Sequence, residues 1–136
     1  MAWDSLTVEL KMLLLGVVLG IAQIVVTAAF ARRQYGLRWA ASARDEPVPP
    51  HSKISGRLHR AFDNYMATFP FFAAAVLAAH AANVHNWASE WGALLYFWGR
   101  VAYVPLYGFG IPLVRSLAWN VATVGILLIL AAFFIR

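Results

Sequence analysis

The chain has 136 residues, of which 62% are hydrophobic and 12% are charged, and its formal net charge is +5. A soluble domain of this length needs more polar surface to cover one core, so the composition excludes an ordinary soluble domain. The sequence has no cysteine, which excludes a disulfide, a cysteine-ligated metal site and a cysteine nucleophile. Most basic residues fall in one loop, where membrane topology and lipid headgroups explain them first, so we expect no nucleic-acid partner.

Four apolar runs predict four transmembrane helices, over about 6–31, 58–82, 91–113 and 117–135. They leave no room for a second domain, so the prediction is one all-α membrane domain over 1–136, a four-helix bundle. In the first run, Gln23 and Thr27 lie four residues apart, which predicts a face that contacts another helix. The fourth run is uniformly apolar and ends at Arg136.

The segment between the first two runs is polar and contains three prolines within 47–50, so it is predicted to be a loop. The loop and its flanks are rich in basic residues, whereas the connection between the second and third runs has no Lys or Arg. The positive-inside rule therefore predicts that the first loop is cytoplasmic and that both termini lie on the other side. The short loops fit a bacterial inner membrane. The basic residues counted are Arg32, Arg33, Arg38, Arg44, Lys53, Arg57 and Arg60.

Polar residues inside a span are costly, so each of them is a candidate for function. Arg60 and Asn64 share a helix face in the second run. Arg100 lies deep in the third run, with Tyr103 and Tyr107 following on its face. Arg32 closes the first span, and Arg115 and Ser116 close the third. Together they predict a site for an anionic, peptide-like ligand that enters from the cytoplasm.

Structural explanations compete with this prediction. Arg60 can pair with Asp63 within its own helix, and Arg100 can pair with the same carboxylate instead of a ligand. Arg32 and Arg115 can serve only as topology signals that reach lipid headgroups. Histidines and carboxylates do not cluster at ligand spacing, so we expect no metal site.

Several motifs resemble those of the MAPEG family, the membrane-associated proteins of eicosanoid and glutathione metabolism. The stretch from Gly56 to Asn64, followed by Phe69-Pro70-Phe71-Phe72, resembles the second-helix signature of that family. The end of the first helix and the motifs of the third and fourth helices are similar too, and the resemblance covers the whole chain. These further motifs are Ala31-Arg32-Arg33, Arg100-x-x-Tyr103-x-x-x-Tyr107 and Pro112-x-x-Arg115-Ser116.

The resemblance implies a homotrimer of four-helix bundles that binds glutathione as a co-substrate between neighbouring subunits, on the cytoplasmic side. By position, Arg115 would hold the sulfur as thiolate, with Ser116 beside it. A nearby guanidinium favours the anion and lowers the pKa of a thiol. The residues that would line the glutathione site are Arg32, Arg60, Asn64, Tyr103 and Tyr107.

The chain departs from the family pattern after Asn64. Glutathione-using members have a glutamate three residues later, followed by tyrosine, where this sequence has Ala67 and Thr68. That carboxylate would meet the amino group of glutathione, and alanine leaves the charge unpaired.

Three functions follow from these observations. The first is a glutathione-dependent transferase or peroxidase that acts on lipophilic electrophiles in the bilayer. The alternative is a divergent, non-catalytic member that binds another lipid or anionic small molecule in the equivalent pocket, and Ala67 favours it. A small multidrug-type transporter has the right size, but its only candidate carboxylate for proton coupling, Asp63, lies near a surface beside arginines.

Overall fold

The computed structural model describes residues 1–135, and its regular structure is helical. Helix α1 packs against α3 and α4, and α5 packs mainly along α4. The prediction of an all-α protein is confirmed, while Arg136, the predicted end of the last span, lies outside the described residues. The helices are α1 (Val8–Tyr35), α2 (Leu37–Ala41), α3 (Lys53–Ala81), α4 (Trp87–Gly108) and α5 (Pro112–Ala131), and a 3₁₀ turn (Ala132–Phe134) follows.

Helix α1 buries its small and polar residues and exposes its large apolar ones. Gln23 and Thr27 are 6% and 7% exposed, which confirms the predicted contact face. The opposite face presents large aliphatic side chains, including Val18 and Ile21, to the surroundings. This distribution is the reverse of that in a soluble protein and fits a surface covered by lipid. Other exposed side chains on this helix are Leu14, Val17, Ile24, Val25, Val26 and Phe30.

Among the described residues, two helices are long and apolar enough by themselves to cross a membrane. They are α1, with a mean hydropathy of 2.5, and the segment Pro112–Phe134, with a mean hydropathy of 2.2. A span of this kind needs about 20 apolar residues. The two helices, together with the exposed apolar surface of α1, fit an integral membrane protein.

Aromatic residues join α1, α3 and α4 in the core. The Tyr65 hydroxyl donates to the Gly16 carbonyl, which ties α3 to α1. The rings of Phe72 and Tyr96 stack at 4.0 Å between centroids, and Tyr96 shares a 3.0 Å hydrogen bond with Thr68. These contacts fix α4 beside α3.

Helices α4 and α5 approach each other so closely that their backbones touch. A Cβ added to Gly125 would lie 2.5 Å from the Gly92 carbonyl oxygen and 2.7 Å from the Tyr96 nitrogen. Only glycine permits this approach, because any other residue would force the helices apart. The contact holds α5 alongside α4 and so places the first turn of α5 near the last turn of α4.

The predicted boundary between the third and fourth spans is wrong. Helix α4 ends at Gly108 and α5 already begins at Pro112, so Arg115 and Ser116 belong to the first turns of α5 and not to the end of the third span. Proline suits the first position of a helix, since its missing N–H would have no partner there. Gly110, with φ of +72°, lets the chain reverse between the two helices.

The predicted starts of the second and third helices are also too late. Helix α3 begins at Lys53, where the Ser52 side chain accepts from the Ser55 nitrogen, and α4 begins at Trp87 after the Asn86 cap. An apolar run marks where a helix meets an apolar environment, whereas the polar turns before it are helical because of their caps.

The segment 36–52 is a loop as predicted, except for the single short helix α2. Gln34 fixes its end through bonds of 2.9 Å to the Pro50 carbonyl and from the Ser52 nitrogen. The Tyr35 hydroxyl donates to the Pro49 carbonyl at 2.6 Å. Proline lacks the N–H that a helical hydrogen bond needs, so the segment around these prolines does not continue a helix. Its carbonyls accept hydrogen bonds from side chains at the end of α1 instead.

Candidate functional site

A polar cleft opens where the first half of α3 meets the end of α4 and the start of α5. Its volume is about 430 Å³. Ionisable and amide side chains dominate its wall although the surrounding helices are largely apolar. The residues that line it are Arg60, Asn64, Tyr103, Tyr107, Arg115, Ser116, Trp119 and Asn120.

Helical spacing brings these residues to one side of each helix. Arg60 and Asn64 are one turn apart on α3, and Tyr103 and Tyr107 are one turn apart on α4. The structure therefore brings together six of the eight residues predicted from the sequence, including Arg115 and Ser116 from α5.

Tyr107 contacts both arginines that line the cleft. Arg60 Nε donates to the Tyr107 hydroxyl at 3.1 Å. The Arg115 guanidinium lies over the same ring, 4.7 Å from its centroid. Within residues 1–135 no carboxylate lies at ion-pair distance from either arginine, so the alternative that Arg60 pairs with Asp63 is not what the structure has. Both guanidinium groups keep donors for a ligand.

Arg100 lies behind the wall of the cleft. Its side chain is completely buried, and its Nη1 donates to the Asn64 side-chain oxygen at 2.8 Å. The guanidinium lies 4.2 Å from the Tyr103 ring centroid and 5.5 Å from that of Tyr65. Arg100 therefore does not line the cleft, because Asn64 lies between them, and it does not pair with Asp63; its predicted contact with a ligand stays a prediction.

Arg32 and Asp63 lie away from the cleft. Arg32 is exposed near the end of α1 and is not among the lining residues. Asp63 points to a separate cavity with Trp39, Arg44 and His59. Around the axis of α3, residue 63 is turned by about 100° from residue 64, so the two side chains lie on different sides of the helix.

The loop before α5 is held by an arginine of α3. Arg57 Nη1 donates to the Gly108 carbonyl at 3.3 Å, at the end of α4. Its guanidinium also packs against Gly110, where an added Cβ would lie 3.0 Å from it. This contact satisfies a carbonyl at the helix end and orients the turn that leads to Arg115.

Sequence reasoning missed Trp119 and Asn120. Asn120 follows Ser116 by four residues and is exposed within an apolar helix. The rule that singled out the other polar residues of the spans would have found it. Trp119 carries no such signal, because tryptophans near span ends are common.

The arrangement suits an anion. Two guanidinium groups, two phenols, a hydroxyl and two amides surround the cleft, and a third guanidinium lies behind Asn64. The Ser116 hydroxyl donates to the Pro112 carbonyl at 3.1 Å, so its proton is already used within α5. Arg115 is therefore the cationic donor for a ligand in this part of the wall. A thiol beside Arg115 would have a lowered pKa.

Comparison with known protein families matches residues 12–135 to the one described as the MAPEG family. The search of curated proteins finds no match. The matched region includes every residue that lines the cleft.

Proposed function

The chain belongs to the MAPEG family, and on that basis we propose that it is a glutathione-dependent transferase or peroxidase acting on lipophilic electrophiles in the bilayer. The observation that supports this most is the convergence of Arg60, Asn64, Tyr103, Tyr107 and Arg115 from three helices on one cleft. Arginines that served only as topology signals would not need amides and phenols beside them.

In this proposal some residues of the cleft bind glutathione and another activates its thiol. Arg60 and Asn64 bind the peptide and its carboxylates, and Tyr103 and Tyr107 form the opposite wall. Arg115 lies next to the sulfur and stabilises it as thiolate, because a guanidinium favours the charged form of a thiol. The thiolate, and not the thiol, is the nucleophile that attacks the electrophile.

The proposal includes a homotrimer in which all four long helices cross the membrane. Each subunit then contributes a cleft, and Arg32 of a neighbouring subunit completes it, which would explain why Arg32 does not line the cleft of its own chain. Lipids surround the trimer, and the lipophilic substrate enters from the bilayer.

The proposed topology places the first loop in the cytoplasm and both termini on the opposite side, in a membrane of the bacterial inner-membrane type. The seven basic residues of this loop and its flanks support it. The cleft lies at the same end of the helices as this loop, so glutathione would enter from the cytoplasm.

A second candidate function is non-catalytic binding of another lipid or anionic small molecule in the same cleft. Ala67, one turn beyond Asn64 on α3, favours it because no carboxylate stands there to pair with the ammonium group of glutathione.

Calorimetry of the detergent-purified protein with glutathione, followed by a turnover assay with a lipophilic electrophile, tests the proposal. We expect binding and conjugation in the wild type, and in Arg60→Leu weaker binding of glutathione with conjugation that needs a higher glutathione concentration. Arg33→Leu, which changes an exposed arginine that does not line the cleft, is the matched control and should behave as wild type. Absence of heat at millimolar glutathione would contradict the enzyme proposal and favour the second candidate.

A further inference from the structure

The cleft and its wall carry positive charge that no carboxylate within residues 1–135 balances. Arg60 and Arg115 line the cleft, and Arg100 lies directly behind Asn64. Arginine stays protonated at any physiological pH, so three positive charges surround one cavity. The only side chain that bonds the Arg100 guanidinium is the neutral amide of Asn64, and its Nε and Nη2 have no hydrogen-bond partner within residues 1–135.

All six carboxylates of the sequence lie elsewhere. Three are near the start of α1 or α4, at the opposite end of the helices: Asp4 pairs with the terminal amine, Glu9 accepts from Ser89, and Glu90 is exposed in the first turn of α4. Along α4, Glu90 is about 25 Å from Tyr107, because the helix rises 1.5 Å per residue.

The other three carboxylates lie on the loop side of α3. Asp45 and Glu46 line a cavity of segment 36–52 with Arg38, and Asp63 lines the cavity with Trp39 and His59. Each therefore faces away from the cleft. Within one chain, the negative charge that balances these arginines therefore has to come from the ligand, and any positive group on the ligand would meet arginines without a compensating acid of the same chain.

We infer that the cleft selects an anionic thiol that has carboxylates but no free ammonium group. This inference rests on the proposed function and specifies its substrate class. Glutathione carries an ammonium group as well as two carboxylates, so it is a poorer match to this charge distribution than the same peptide without the amine. The cleft therefore favours, over glutathione itself, a thiol with an acylated, deaminated or absent amino group.

A matched pair of ligands tests the inference directly. Glutathione and glutaryl-cysteinyl-glycine differ only in the amino group, and their affinities are compared by calorimetry on the same detergent-purified protein. We expect the deaminated peptide to bind about 10-fold more tightly, a difference that corresponds to about 1.4 kcal/mol. Raising the salt concentration should shrink the difference, because screening weakens interactions between partly exposed charges.

Two variants at one position provide the control. Ala67 is exposed and follows Arg60 and Asn64 on the same face of α3. Ala67→Glu should reverse the preference in favour of glutathione, while the uncharged Ala67→Gln should leave it as in the wild type. If Ala67→Glu does not fold, the comparison of the two ligands on the wild type still tests whether the cleft prefers the peptide without the amino group.

Equal affinities in the wild type, or tighter binding of glutathione, would overturn this inference and leave the proposed enzymatic function standing. If neither peptide binds to the folded protein, the proposed function falls and this inference falls with it.

Discussion

Arg60 and Arg115 both contact Tyr107, but they come from different helices and have different expected roles. Arg60 would contact the bound peptide before and during reaction, so Arg60→Ala should raise KM by roughly 10- to 100-fold and change kcat less, as expected for a hydrogen bond to a charged group. Arg115 would act on charge at the sulfur, so Arg115→Ala should lower kcat by about 10²–10³-fold. Steady-state kinetics with a lipophilic electrophile measures both.

The reverse pattern, with KM affected by Arg115 and kcat by Arg60, would contradict these assignments. Arg33→Ala serves as the control, because Arg33 is exposed and does not line the cleft.

The His51 ring at the end of the basic loop makes this loop sensitive to pH. It stacks on His59 at 4.0 Å and lies 5.3 Å from the Tyr35 ring. Partial desolvation, together with the charge of His59, lowers the pKa of His51 below its ordinary value of 6.5. The folded loop therefore binds this proton less readily than the unfolded loop does.

The loop should lose stability as the pH falls below about 6.5, and it should keep full stability above that value. Limited proteolysis within segment 36–52 at pH 7.5 and at pH 5.5 measures this, with faster cleavage expected at the lower pH. His51→Gln should remove most of the difference. A cleavage rate that stays constant across this range, or one that rises with pH, would contradict the prediction.

Most residues of the cleft could be predicted from the sequence, whereas the placement of Arg100 and Arg32 outside it could not. Polar groups in an apolar helix are energetically costly, which makes them candidates for function, and helical spacing places them on one face. This identifies Arg60, Asn64, Tyr103 and Tyr107. The position of Arg100 depends on whether its side chain reaches the cleft or bonds to Asn64 first, and this is decided by packing between α3 and α4. The role of Arg32 depends on contacts between chains, which one sequence does not specify.

At the scale of the helices, the glycine contact between α4 and α5 determines where Arg115 lies. Gly125→Ala would bring a Cβ to 2.5 Å from the Gly92 carbonyl oxygen. We expect the free energy of unfolding to fall by about 1–3 kcal/mol, the usual cost of overpacking. We also expect the proposed conjugation activity to fall, because α5 carries Arg115 and would move. Gly108→Ala, where an added Cβ meets nothing within 4 Å, is a control for changing a glycine in this region.

Denaturation in detergent, followed by circular dichroism, measures the first effect. An unchanged midpoint for Gly125→Ala would mean that the two helices are not in this close contact.

A buried carboxylate joins α1 to α4 at the other end of the bundle. Glu9 is 2% exposed, accepts a hydrogen bond from Ser89, and lies 3.5 Å from His85 Nδ1. Ser89→Ala should destabilise the protein by about 1–3 kcal/mol, because it removes a hydrogen bond to a buried carboxylate. The midpoint of thermal unfolding measures this, and the substitution Ser5→Ala at an exposed site should have little effect.

Helix boundaries were harder to predict than helix existence. The apolar runs indicate four long helices, but caps at Ser52 and Asn86 start two of them earlier than hydropathy does. The break near Pro112 was misplaced because apolar residues continue on both sides of it, so that only the proline and Gly110 mark the turn.

At the scale of the whole molecule, the basic loop predicts the membrane topology and the family fold predicts the assembly. A C-terminal reporter should be active only outside the cytoplasm, since the first loop and its flanks have seven basic residues and the next connection has none. A reporter that is active only in the cytoplasm would contradict the topology.

Assembly is a separate prediction. Cross-linking in native membranes should proceed to a trimer, and cross-links from Arg32→Cys to Asn120→Cys should form between chains. The chain has no cysteine of its own, so the engineered pair is the only source of a disulfide. Products that stop at a dimer would contradict the proposed assembly.

The central claim is that the cleft binds a thiol and holds it as thiolate beside Arg115, and ultraviolet difference spectroscopy tests it most directly. At neutral pH, the protein saturated with glutathione or with its deaminated analogue should show the thiolate absorption band, because a free thiol has a pKa of about 8.5 and is mostly protonated there. The band should disappear in Arg115→Ala and persist in Arg33→Ala. A folded wild-type protein that is saturated with either thiol and shows no thiolate band would contradict the account.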